Sequence, residues 1–219
     1  MLTPDRTVKQ NHTRGARVSS NIWDRIEESR SRWNVLEHPF YQRWSAGELS
    51  RDELARYSGQ YRHAVEAIAA MSSTAAAEAP ERAELREHAA EEAAHVQLWD
   101  GFVAAIGGST GAAPTPETAE CVREWRAPDG LLATLARLYA IESGQPEISR
   151  VKRHGLTALY GVEDGAGTEY FAVHEQRDDG HAAEVRELID ERARPEDADA
   201  LVAAAEAAFG ANWRLLDGV

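Results

Sequence analysis

The chain has 219 residues, a formal net charge of -13 and a sequence pI near 5.1. Such an excess of acid excludes the basic face that nucleic acid or an anionic membrane would require, and leaves a small molecule as the expected partner. A single cysteine, Cys121, excludes an internal disulfide or a CxxC site; with no apolar leader and no apolar run of membrane-spanning length, a cytoplasmic protein is expected.

The first residues are polar and mildly basic, so a flexible tail is expected over 1–18 and one domain over 19–219. Apolar periodicity then predicts helices over about 20–35, 51–76, 80–106, 117–126, 129–155, 168–192 and 195–215, an all-α chain. Several ends carry their own signals. Ser50 to Glu53 reads as a capping box, Thr115-Pro116 as an N-cap followed by proline, and Gly107-Gly108 as a stop. Pro146 falls inside the fifth segment, just after Glu142, and predicts a kink there.

Three of these helices put polar ligand types on an apolar face. In HEQRDDGH, helical spacing places His174, Asp178 and His181 within about 60° of one another, on the side shared with Tyr170, Phe171, Val185, Leu188 and Ile189. His95 lies on one face with Leu98, Trp99 and Phe102, flanked by Glu91 and Glu92 from the previous turn. Glu142 shares its face with Leu135, Leu138 and Tyr139. Burying these groups unpaired is costly, and binding metal removes the cost. Three carboxylates and three imidazoles without thiolate suit iron or manganese, and bridging carboxylates can hold two ions. His88, on the His95 stripe, is read as an outer residue of this set or as simple surface.

The blocks HPFYQRWSAGELSRDELARYSGQYRHAV (38–65), EEAAHVQLWDGFVAAIG (91–107), YAIESGQPEISRVKRHGLTALYG (139–161) and EYFAVHEQRDDGHAAEVRELI (169–189) resemble the haem-oxygenase-like di-metal oxidases. Within that group they are most similar to the folate-linked CADD-type proteins, and more distantly to UndA, PqqC and TenA-like proteins. The resemblance implies a seven-helix haem-oxygenase-like bundle. It also implies a metal pair, Fe2+ or Fe/Mn, held by Glu91, His95, Glu142, His174, Asp178 and His181, with dioxygen as co-substrate and an external reductant. CADD-type proteins carry an insertion between the acidic pair and the histidine, whereas EEAAH is uninterrupted, as in UndA. Counting from the N-terminal side selects Glu91; counting back from His95 selects Glu92, and Glu91 is preferred.

CADD-type activity, by the same resemblance, is oxygen-dependent synthesis of 4-aminobenzoate, a tyrosine of the protein supplying the ring and a lysine the amine. The matching positions are Tyr41 and Lys152. Of 24 basic residues 22 are arginine, and Lys152 lies between Arg150 and Arg153; an amine can deprotonate and act as a nitrogen donor, which a guanidinium practically cannot. Tyr57 and Tyr61, one turn apart, are candidates to relay electrons or radicals. The tyrosine that CADD-type proteins carry directly before the third ligand is Ile141 here.

Two other readings stand beside this one. A di-iron oxidase or decarboxylase would act on an external amino acid or fatty acid, as the UndA-like spacing allows. A non-catalytic helical binding protein would need none of the six ligand types, and a metal-free thiaminase-like site would need a pocket cysteine, for which Cys121 in TAECVREW is poorly placed. A homodimer is expected, with a small-molecule substrate or a product derived from the chain itself.

Overall fold

A helix starts cleanly where its first backbone donors find acceptors, and the third helix shows how. The backbone N–H of Ser50 donates to Glu53 Oε2 at 2.8 Å and that of Glu53 to Ser50 Oγ at 3.3 Å, the reciprocal pair that the sequence predicts. The structure, a computed structural model, describes residues 22–219 apart from the side chains of 177–179; the expected tail over 1–18 lies outside the described residues. Among them are nine α-helices and no strand: α1 (22–32), α2 (Pro39–Ala46), α3 (Arg51–Glu78), α4 (Ala83–Ile106), α5 (Pro116–Trp125), α6 (Leu131–Glu142), α7 (Gln145–Ala158), α8 (Glu169–Arg192) and α9 (Ala198–Asp217). Short 3-10 turns precede α2 and α9.

Two helices exceed the seven expected. The first is α2, which begins on Pro39 with His38 as its cap, the ring nitrogen accepting from the Phe40 N–H at 3.1 Å, and ends at Gly47 in the left-handed region. Eight residues are too few for apolar periodicity to register, although a cap, a proline and a glycine mark both ends. The other arises because the expected 129–155 helix is broken and not merely kinked. Pro146 has no N–H to give the carbonyl of Glu142, so α6 ends at Glu142 and α7 starts anew, with Gly144 as its cap and Pro146 in its first turn. The break turns the chain so that α7 packs on α8 and α2 while α6 packs on α8 and α9.

One cluster of buried apolar side chains runs through the bundle from Ile22 to Leu216. The longest helices, α3 and α4, pack along one another, and α8 closes the bundle against α4, α6 and α7. At the crossing of α7 with α2, a Cβ on Gly155 would come within 2.5 Å of Trp44 Nε1, so only glycine permits this approach. It seats Tyr41 beside Lys152. Among the described residues no helix is long and apolar enough to cross a membrane.

Candidate metal centre and its aromatic wall

On α4, His88, Glu92 and His95 recur at helical spacing and turn one face inward; their exposures are 4%, 1% and 4%. α8 brings His174 to the same place from the opposite side, with His181 two turns on, and the last residue of α6 supplies Glu142. Two groups of potential ligand atoms result, each within 4.8 Å: Glu92 with His95 and His174, and Glu92 with His88 and His181. Glu92 belongs to both.

The contacts define which atoms remain for an ion. His95 Nδ1–H donates to Glu92 Oε1 at 3.0 Å, which leaves its Nε2 as the lone-pair atom. His174 Nδ1–H donates to the Tyr170 carbonyl at 2.7 Å, so its Nε2 is likewise left to coordinate, the usual backing of a metal-bound imidazole. The His95 and His174 rings lie 4.5 Å apart. Glu92 Oε2 and Glu142 Oε2 are buried with no hydrogen bond, as is His181 Nδ1, while Glu142 Oε1 faces His88 Nε2 at 3.0 Å. Buried polar atoms are nearly always satisfied, and here a cluster of orphaned acceptors converges. Oxygen and imidazole donors without sulfur fit iron or manganese. The site therefore fits a two-metal centre on its own chemistry.

Electrostatics agree with this picture. Burial raises the Glu142 carboxyl above its ordinary range despite the nearby His88. Burial acts in the same sense on Glu92, but the hydrogen bond from His95 and the electrostatic influence of the surrounding imidazoles outweigh it and hold that carboxyl low. Burial pushes His174 down to about 4, which keeps it neutral at physiological pH, as a ligand must be. His181 is also lowered, by burial first and then by His88.

Of the expected set, Glu142, His95, His174 and His181 thus converge. Asp178 is on α8, but its side chain lies outside what the structure describes. Glu91 is half-exposed at the rim, its Oε2 3.2 Å from His181 Nε2, whereas Glu92 occupies the interior. His88, read from sequence as outer or surface, is buried with its ring 4.3 Å from that of His181. Its position seven residues before His95 was a usable signal, since two turns return to the same face.

An aromatic wall leads away from His174. Its ring stacks on Tyr170 at 4.0 Å, Tyr170 meets Trp99 at 4.8 Å, Trp99 meets Tyr61 at 5.1 Å and Tyr61 meets Tyr57 at 5.4 Å. Tyr57 and Tyr41 share a hydroxyl–hydroxyl hydrogen bond of 2.9 Å. All six side chains are buried. Lys152 Nζ sits among them, 4.6 Å from the Tyr61 ring centre, 5.3 Å from Tyr41 and 5.5 Å from Tyr57. Burial alone lowers the lysine to about 7. The hydroxyl of Tyr41 moves the other way, well above its ordinary value, first through burial and then through Tyr61. Tyr170 and Trp99 were not singled out from sequence as relay residues, because aromatic side chains on a core face look alike before their contacts are known. Ile141 is buried at the wall of a separate cavity of about 260 Å³ beside α1 and α9.

Comparison with known proteins places this geometry. Residues 55–213 match the sequence model of a family described as iron-containing redox enzymes. A 4-aminobenzoate synthase of Nitrosomonas europaea is 32% identical over 220 residues, covering 90% of this chain and 88% of its own. Among solved structures, a TenA homolog from Pseudomonas syringae superposes with a TM-score of 0.77 at 19% identity, over 90% of each chain. Heme oxygenase-1 of a Synechocystis cyanobacterium superposes with a TM-score of 0.62 at 13% identity, over 92% of this chain and 91% of its own. These two likenesses establish the haem-oxygenase-like fold and nothing more.

Proposed function

The chain belongs to the family of iron-containing redox enzymes, and we infer that it makes 4-aminobenzoate, a folate precursor, from its own Tyr41 and Lys152 with dioxygen as oxidant. The observation that carries this reading is the placement of Lys152: its amine lies 5.3 Å from the Tyr41 ring centre inside a closed aromatic wall that reaches His174. Similarity to a relative named 4-aminobenzoate synthase supports the product.

Glu92, His95, Glu142, His174, Asp178 and His181 would hold two ions, Fe2+ twice or Fe2+ with manganese, with Glu91 at the rim; the centre would supply the reduction of dioxygen by external electrons. The remaining work falls to the protein. His174, held neutral by burial and fixed by the Tyr170 carbonyl, presents one nitrogen inward. Tyr170, Trp99, Tyr61 and Tyr57 form a continuous ring path along which an electron can leave Tyr41 without the phenol touching the centre. The hydrogen bond to Tyr57 holds the Tyr41 hydroxyl in place. Lys152, at about 7, is substantially uncharged near neutral pH and so offers a nitrogen lone pair, which the pocket's exclusion of water protects. Tyr41 supplies the ring and Lys152 the nitrogen.

The test uses Tyr41→Phe and Lys152→Met. Both variants are expected to bind iron like the wild type and to release no 4-aminobenzoate when given dioxygen and a reductant. Product from either variant at the wild-type level would overturn the self-derived substrate and favour an external amino acid or fatty acid.

A further inference from the structure

We propose that His88 is a ligand of the second metal position, a seventh donor beyond the set implied by family resemblance. The inference rests on the two-metal reading and concerns how its two positions differ. His88 Nε2 lies 3.0 Å from Glu142 Oε1 and 3.8 Å from Glu92 Oε1, and its ring lies 4.3 Å from that of His181. Donor atoms bound to one ion at ~2.0–2.2 Å stand ~3–4 Å apart, which is the spacing observed. His88 is buried at 4% exposure, and its Nε2 faces Glu142 Oε1 at ion-pair distance. The second oxygen of Glu142, Oε2, is buried and without a hydrogen bond. A buried nitrogen and two buried carboxylate oxygens thus converge on one point, and coordination satisfies all of them at once.

The helical register supports the same assignment. His88, Glu92 and His95 occupy one stripe of α4, so Glu92 stands between two imidazoles and can give one oxygen to each position. The first position then has His95 and His174, the second His88 and His181, and Glu92 spans them.

The experiment titrates metal-free wild-type, His88→Ala and His88→Gln proteins with Co2+, reading ions bound per chain by elemental analysis and the visible cobalt spectrum. Glutamine keeps most of the side-chain volume and covers the case in which the alanine variant does not fold. The wild type is expected to bind two ions; the folded variants are expected to keep the first affinity, lose at least ~10-fold in the second, and show an altered spectrum for that ion alone. A second affinity that is unchanged or tighter, with an unchanged spectrum, would mean that His88 is only a counter-charge to Glu142 and would overturn the proposal. So would equal weakening of both ions. A wild-type protein that binds fewer than two ions would overturn the two-metal centre itself, an outcome separate from the failure of His88 alone.

Discussion

Lys152 shows how one side chain can be costly to the fold and needed by the chemistry. Its amine falls from 10.5 to about 7 through burial alone, among rings that offer no carboxylate partner. Between those two values the unfolded chain binds a proton that the folded chain does not, so stability rises as pH increases from about 7 toward 10.5 and is lowest below 7. At one pKa unit per ~1.4 kcal/mol, the cost near neutral pH is on the order of 4 kcal/mol. Lys152→Met should therefore raise the melting temperature by several degrees at pH 6 to 7 and much less at pH 10, as calorimetry across that range would register. Lys152→Arg should do the reverse, because a guanidinium stays charged in the same place. If the neutral amine is the donor, product formation by the wild type should rise with pH through about 7 and then level; a rate that falls over this interval would speak for the ammonium form. His174→Ala removes a neutral, backbone-anchored nitrogen from the first position and should cost at least one bound iron per chain, measured by elemental analysis.

At the scale of elements, the site depends on where helices stop and how closely they cross. α6 ends on Glu142 because Pro146 forbids continuation, and the restart as α7 carries Lys152 to the aromatic wall. Gly155, one turn after Lys152, admits Trp44 and with it the helix that bears Tyr41. Gly155→Val should overpack this crossing, destabilise the fold by about 1–3 kcal/mol and lower product yield more than iron content, as denaturant unfolding and iron assay together would reveal. Much of this was legible in the sequence: the capping box at Ser50, the Thr115-Pro116 start and the Gly107 stop all occur where their chemistry places them. The short α2 was not, since eight residues give no periodic signal. Nor was the full break at Pro146, because a proline announces a disruption without saying whether the helix bends or restarts. At the centre, phase alone brought His95, Glu142, His174 and His181 together, but it could not separate Glu91 from Glu92, adjacent residues 100° apart that both border the inward face. That choice needed the rotation of α4 against α8, which puts Glu92 inside and Glu91 at the rim.

For the whole molecule, the bundle has two linked interiors: a polar one where α4, α6 and α8 meet, and an aromatic one between α2, α3, α4, α7 and α8. They join at Tyr170 and His174, whose rings stack at 4.0 Å. One lysine, Lys152, lies fully buried in the core of this acidic chain, where its amine serves chemistry and not solubility. The central claim is that the molecule consumes part of itself, and isotopes test it most directly. Protein prepared with 13C-ring tyrosine and 15N-amine lysine, loaded with ferrous iron and given dioxygen and a reductant, should release 4-aminobenzoate carrying both labels, with the peptide that contains Tyr41 altered in the mass spectrum. Unlabelled 4-aminobenzoate, or oxygen consumption with Tyr41 intact and no such product, would contradict the account and assign the oxidant to a substrate from outside.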